Sequence, residues 1–239
     1  VNPRSRGPDP AATPASGRPV AEARQRWRIV FARDEPSARS HRDLAEAWAA
    51  ALQASGLPLP RGEGRPRPPL AFAAPLPVGA IADAELADLT LADRLPVADV
   101  RPVVARTMPD ELRLVGLHDV WLGAPALAAA VEAADYRVDL AGDVDLPALV
   151  RACASLLAAP SLVRQRARGG GTVEYDLRPL LDDVTAAGDP PALRIRTRFH
   201  PERGAGRPEE VVAALGDVLG RPVATGVTRR ERLILAGER

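Results

Sequence analysis

The sequence predicts an α+β fold: two tandem ferredoxin-like (βαββαβ) units with antiparallel sheets, preceded by a disordered N-terminal tail. Three observations predict it. Several short segments alternate apolar and arginine residues with the period of a half-buried strand. Between them lie apolar stripes at helical spacing, opened by capping residues. The order strand–helix–strand–strand–helix–strand occurs once and then loosely again, which is the ferredoxin-like arrangement. The expected boundaries are a tail over 1–22, a first unit over 23–125 and a second over 126–239, joined between about Trp121 and Ala134. Element order alone supports the repeat, because the halves share no sequence identity.

Val1 to about Glu22 is rich in Pro, Gly, Ala, Ser and Arg and has no apolar periodicity, so it cannot bury enough surface to offset ordering entropy. Val1 itself points to a GTG start read literally or to a piece of a longer chain. Order begins at Arg26, where Trp27, Ile29 and Phe31 alternate with Arg26, Arg28 and Val30. Ser40 is placed to cap a helix, with Asp43 three residues on as a capping-box variant. Leu44, Ala47, Trp48, Ala51 and Leu52 form its apolar stripe, and Gly56 is the expected stop. Pro58 to Pro69 reads as a proline- and arginine-rich loop. Leu70 to Leu76 and Glu85 to Leu91 read as antiparallel strands around a turn near Gly79. A helix over Val97 to Arg106 has to hold Pro102 in its first turn, and Leu112 to Val120 is the next strand.

In the second half, Tyr136 to Leu140 is a strand. Asp145 caps a helix carrying Leu146, Leu149, Val150, Cys153, Leu156 and Leu157 on one side. Leu162 to Arg168 and Thr172 to Leu177 make a hairpin across Gly169-Gly170-Gly171. A short helical turn is expected at Leu180 to Val184. Leu193, Ile195, Thr197 and Phe199 alternate with Arg194, Arg196 and Arg198 in a strand. Pro208 starts a helix ended by Gly216, and Arg230 to Leu235 is the last strand.

The chain has 239 residues, 46% of them hydrophobic but only 3% aromatic, so its core must rest on Leu, Val and Ala. All 32 basic residues are arginine, yet the net charge is +1, so no global field demands a nucleic acid or a membrane. Cys153 is the single cysteine, which excludes an internal disulfide framework and a self-contained iron–sulfur cluster. No apolar run approaches a membrane span, and no signal-peptide core is present. The expectation is a cytoplasmic protein with no membrane partner, no metal and no cofactor.

Three constellations could carry chemistry. His41 at the first position of its helix, with Asp43 two residues on, could do acid–base work, hold a metal, or simply lie exposed beside a cap. The loop Arg61 to Pro68 sets glycine amides beside Arg65 and Arg67, which could cradle phosphate or serve as a stiff connector. Arginines line strand faces at Arg194, Arg196 and Arg198, at Arg164, Arg166 and Arg168, and at Arg26 and Arg28. Such faces can track a phosphate backbone, although Glu174, Asp176 and Asp139 could pair with them across strands and no exposed aromatics interleave. His118 and His200 are isolated. Gly169-Gly170-Gly171 lacks the lysine and serine of a phosphate loop.

The run Arg26-Trp27-Arg28-Ile29-Val30-Phe31, then Ser40-His41-Arg42-Asp43-Leu44, Gly56-Leu57-Pro58-Leu59 and Pro66-Arg67-Pro68-Pro69-Leu70-Ala71-Phe72-Ala73-Ala74-Pro75-Leu76-Pro77-Val78-Gly79, resembles the uncharacterised radical SAM-linked proteins. These are a bacterial domain of unknown function found beside, or fused to, radical SAM enzymes. The resemblance covers roughly Arg26 to Leu235. It includes the family's Ser-His-x-Asp-Leu segment, which implies a role for Ser40, His41 and Asp43. It departs where the family carries an aromatic, since Gly64 or Arg65 stands there. It implies a non-catalytic accessory or substrate-binding module working with a radical SAM enzyme, in RNA or ribosome-related modification. Arg65, Arg67, Arg194, Arg196 and Arg198 would then contact RNA. The alternative is an RNA-acting, endonuclease-like enzyme using His41 and Asp43. With one cysteine the chain cannot itself be a three-cysteine radical SAM catalyst.

Overall fold

The computed structural model describes residues 23–60, 70–168 and 171–237. The expected tail over 1–22, the 61–69 stretch holding Arg65 and Arg67, and the Gly169-Gly170 turn lie outside the described residues. The architecture is mixed α+β on a mostly antiparallel sheet.

The first half runs β1 (Gln25–Arg33), α1 (His41–Gln53), β2 (Leu70–Phe72), β3 (Ile81–Leu91), α2 (Val97–Thr107) and β4 (Arg113–Val120). Its strands lie in the order β4-β1-β3-β2, each antiparallel to its neighbour. A short helix, α3 (Leu127–Ala130), leads into β5 (Val131–Leu140) and α4 (Leu146–Ala158). Next come the hairpin β6 (Val163–Arg168) and β7 (Gly171–Asp176), then β8 (Leu181–Ala187), β9 (Ala192–His200) and β10 (Gly204–Ala205). The chain continues through α5 (Pro208–Leu219) and β11 (Thr225–Leu235). The strand order here is β8-β9-β5-β11, again antiparallel, with the hairpin forming a separate two-stranded sheet.

The halves meet edge to edge. β11 runs parallel to β3, with Arg229 opposite Ile81 and Arg230 opposite Ala82, so nine strands make one continuous sheet among the described residues. Register decides where the helices lie. Arg230 also stands opposite Tyr136, which belongs to the second core. Ala82 stands opposite Arg33, two residues from Phe31 of the first core and on the same face. Both halves therefore put their helices on one face of the sheet, and among the described residues no helix covers the other.

Under that helix layer sit two apolar clusters. Trp27, Ile29, Phe31, Trp48, Leu52 and Leu89 belong to the first. Tyr136, Leu149, Leu156, Leu193, Ile195 and Leu215 belong to the second. Four of the eight aromatic residues go into the first, where Phe31 meets Trp48 edge-on at 5.4 Å and Phe72 meets both. The second is built mainly from aliphatics.

Several elements depart from expectation, each for a local reason. β2 has three residues rather than seven, because Pro75 and Pro77 follow without N–H groups for a ladder. β5 begins at Val131, earlier than expected, since its Ala-rich start carries no strand signal. The expected helical turn at Leu180 to Val184 is a 3₁₀ turn over Arg178–Leu180 followed by β8, whose Leu181, Val184 and Ala186 are buried. α5 does not stop at Gly216. It runs on to Leu219 and ends at Gly220 in the left-handed region, φ +66°. Gly216 is needed for close approach, since a Cβ there would lie 3.2 Å from the Arg221 carbonyl oxygen. α1 ends at Gln53 and Gly56 turns the chain three residues later. Pro102 lies inside α2, not in its first turn.

Candidate polyanion-binding face

The open face is clearest on the second half. Along β9 the buried side chains of Leu193, Ile195 and Thr197 point to the helices, so Arg194, Arg196 and Arg198 point the other way. They stand opposite Arg137, Asp135 and Ala133 on β5. Arg196 donates to both carboxylate oxygens of Asp135, at 2.6 Å from Nε and 2.9 Å from Nη2. Arg232 on β11 donates its Nε to the same carboxylate at 2.8 Å. Arg198 donates twice to Asp182 on β8, from Nε at 2.9 Å and from Nη2 at 2.7 Å. Among the described residues Arg194 makes only a long 3.9 Å ion pair with Glu231, and its side chain is 65% exposed. Burial pushes the Asp135 carboxyl up, but the bonds from Arg196 and Arg232 outweigh it and hold it below the usual carboxylate range.

These arginines surround a cavity of about 720 Å³. Arg196, Arg198 and Arg232 line it together with Asp182 and Glu132, and Ala133, Leu233 and Ile234 supply its apolar part. The same pairing logic continues along the sheet, where Arg229 bonds Asp83 and Arg28 forks onto Asp88. The open face is thus a lattice of guanidinium and carboxylate groups rather than a bare positive stripe.

Ser40, His41 and Asp43 sit together at the start of α1 but do different work. The Ser40 hydroxyl oxygen accepts the Asp43 N–H at 3.2 Å, and the hydroxyl donates to the Asp43 carboxylate at 2.7 Å. That closes the expected cap. The His41 ring turns away onto Phe72, edge-on at 4.8 Å. Burial holds the imidazole below its ordinary pKa, against the charge of Glu85 and with that of Arg230. The titratable groups acting on His41 are therefore Glu85 and Arg230, not Asp43.

Glu85 and Arg230 form the ion pair that seals the join between the halves. Both are almost wholly buried, at 2% and 1% exposure. The Arg230 guanidinium forks onto the Glu85 carboxylate and also donates to the carbonyls of Ala74 and Pro75. Burial opposes its charge, but Glu85 and Tyr136 more than restore it. Nearby, Arg33 is buried and donates to the carbonyls of Pro77 and Ala80.

Other expected groups are committed elsewhere. Arg26 ties down the connector between the halves by donating to the carbonyls of Trp121, Ala124 and Pro125. Arg164 and Arg166 face inward rather than out: the first pairs with Asp217, and the second lies 4.6 Å over the Tyr175 ring and donates to the Arg203 carbonyl. Of the expected carboxylate partners, Asp139 takes Arg137, and Asp176 accepts backbone N–H groups of Leu162 and Arg178. Cys153 is buried among apolar groups, which pushes its thiol up to about 11, so it is not a ready nucleophile. Among the described residues no group of three or more His, Cys, Asp or Glu could hold a metal, and no helix is long and apolar enough to cross a membrane. Sequence reasoning missed Arg232, Asp135 and Asp182. The run Arg229-Arg230-Glu231-Arg232 was the available signal, but a β-bulge between Arg230 and Arg232 decides which arginine is open and which is sealed.

Fold and site together define a mixed α+β protein with a helix layer on one face of its sheet and paired arginines on the other. The chain belongs to the family described as an uncharacterised protein conserved in bacteria (DUF2344), whose model matches residues 26–207. No curated protein matches it. Among solved structures it is similar to a chain of a Cbf5–Nop10–Gar1 complex, at 12% identity and a TM-score of 0.46, covering 86% of this chain and 48% of that one. It is similar also to a chain of an H/ACA RNP bound to a substrate RNA containing 2′-deoxyuridine, at 13% identity and a TM-score of 0.46, covering 86% and 47%. A third likeness is to the archaeal box H/ACA sRNP Nop10–Cbf5 complex, at 11% identity and a TM-score of 0.43, covering 86% and 47%. The chain spans about half the length of these structures, and likenesses this distant carry no argument about its function.

Proposed function

We propose that this protein is a non-catalytic module that binds RNA on the open face of its sheet and presents it to a radical SAM enzyme, encoded nearby or fused to it, in the cytoplasm. The observation that carries the reading is the cavity of about 720 Å³ lined by Arg196, Arg198 and Arg232. Arginine keeps its charge and matches phosphate with a planar fork of donors. Arg194, loosely paired and 65% exposed, extends the basic run along β9. Arg65 and Arg67 belong to the same proposal, although they lie outside the described residues. The radical SAM partner rests on the family resemblance of the Ser40 to Leu44 and Pro66 to Gly79 segments. As its frame we propose two ferredoxin-like units, 23–125 and 126–239, on the strand orders β4-β1-β3-β2 and β8-β9-β5-β11.

The test is RNA binding by the purified protein across a salt series, run beside a cleavage assay. Each phosphate contact on a single strand contributes a slope of about −0.7 in log K against log salt. Four arginine contacts, from Arg194, Arg196, Arg198 and Arg232, should therefore give a slope of about −2.8, and Arg194→Gln should flatten it by one contact, to about −2.1. Binding that is absent or indifferent to salt overturns the reading. His41→Ala should leave RNA affinity unchanged, and RNA cleavage abolished by that substitution would instead establish the enzymatic alternative. Co-purification with the radical SAM protein from the native host tests the partner.

A further inference from the structure

We infer that the cavity beside β9 takes the terminal phosphomonoester of an RNA strand, with the end nucleotide seated beside it, an inference that rests on the RNA reading above. The volume of about 720 Å³ is in the range of small-ligand sites, about 300–1,000 Å³, and the concavity has room for an end nucleotide beside its phosphate.

The guanidinium groups are held ready. Asp135, mostly buried, accepts from Arg196 and from Arg232, and Asp182 accepts from Arg198. Each bond uses an Nε or Nη2 donor. Both Nη1 protons of each of the three arginines have no hydrogen-bond partner among the described residues. Orienting a guanidinium through one edge leaves the other edge for a ligand and lowers the ordering cost of binding. Three such groups around one cavity suit a group of concentrated charge. A terminal phosphate carries about −1.5 to −2 at neutral pH, whereas a backbone phosphodiester carries a single charge. Ala133 and Ile234, opposite each other on β5 and β11, give an apolar surface for a sugar or base. Glu132 cannot contact the phosphate, but its carboxylate accepts from a hydroxyl or an exocyclic amine.

The experiment is fluorescence anisotropy on the full chain at one fixed salt concentration. It uses a single-stranded RNA oligonucleotide in three forms: 5′-phosphate, 3′-phosphate, and hydroxyl at both ends. One of the phosphorylated ends should bind about tenfold tighter than the hydroxyl form, in line with charge-assisted hydrogen bonding. The advantage should shrink below pH ~6, as the phosphate gains its second proton. Arg198→Gln and Arg232→Gln should each reduce it to within about twofold. Both side chains are more than half exposed, so these variants should fold, and circular dichroism checks that they do. Arg194→Gln, outside the cavity lining, should weaken all three oligonucleotides alike. Equal affinity for all three, with salt dependence kept, overturns the terminal-phosphate assignment and leaves the RNA reading intact. Displacement of the RNA by adenosine monophosphate at the RNA's own dissociation constant also overturns it, since the ligand is then a free nucleotide. No binding of any oligonucleotide overturns the RNA reading itself.

Discussion

A buried arginine and a half-buried histidine show how much a single side chain can carry. Arg230 has its charge matched by Glu85, and two of its other three protons go to the carbonyls of Ala74 and Pro75. Removing one partner leaves the other charge buried and alone, which costs about 3–5 kcal/mol. Glu85→Gln or Arg230→Met should therefore shift the urea midpoint sharply, and a shift close to zero would show that the join is not sealed by this pair. His41 adds an acid dependence that arises from burial rather than from an ion pair. Its pKa is lower folded than unfolded, so the unfolded state binds the proton first as pH falls. Above its ordinary value of 6.5 neither state is protonated and His41 costs nothing. As pH drops from 6.5 toward the folded value, stability falls, and below that value the loss is complete. His41→Gln should remove this part of the acid dependence of the melting temperature, and an unchanged profile refutes it. At this scale the sequence singled out His41 and Arg196 but not their partners. Adjacent residues such as His41 and Asp43 suggest chemistry by proximity, yet a cap and a ring contact send their side chains to different neighbours.

Elements are held by stripes and caps. Leu44, Trp48 and Leu52 form the buried stripe of α1, each four residues from the next, while Ala47 lies outside it. Leu52 has no exposed surface, so Leu52→Asp buries an unpaired carboxylate and should cost several kcal/mol (order of magnitude). A thermal midpoint within a degree or two of the parent would contradict this. Asp145 accepts the Ala148 N–H at 2.9 Å at the start of α4, and Asp145→Ala should cost about 1 kcal/mol by chemical denaturation. These elements were legible because caps and helical periodicity are local. On α4, Val150 is 46% exposed while Ala152 is buried, because alanine fits against the neighbouring layer where a stripe of large residues had been the guide. β2 and β8 were misread for a related reason: a strand of a few residues is specified by its pairing partner more than by its own sequence.

At the scale of the molecule the decisive feature is the parallel pairing of β11 with β3. It continues one sheet through both halves, and the sealed Arg230–Glu85 pair sits beside it. The halves should therefore unfold together: near-UV signals from Trp27 and Trp48 in the first and far-UV signals from the whole should share one urea midpoint. Two separate transitions would mean that the join is weak. The sequence gives no sign of this pairing. Arg230 and Glu85 are 145 residues apart, and no local pattern reports which strand edges will meet. The open face was legible in its alternation of arginine with apolar residues along β9, but its cavity was not, since that needs β5, β9 and β11 at once. The pairing also sets an order of events during synthesis. β11 follows every other described element in the chain yet lies in the middle of the sheet. As the polypeptide leaves the ribosome, β5 and the Ile81–Ala82 end of β3, beyond the stretch that β2 pairs, wait with unpaired edges until Thr225–Leu235 arrives between them. Nascent chains stalled short of residue 225 should expose those edges, favour chaperone capture and resist compaction, and release of the last strand should close the sheet in a single late step.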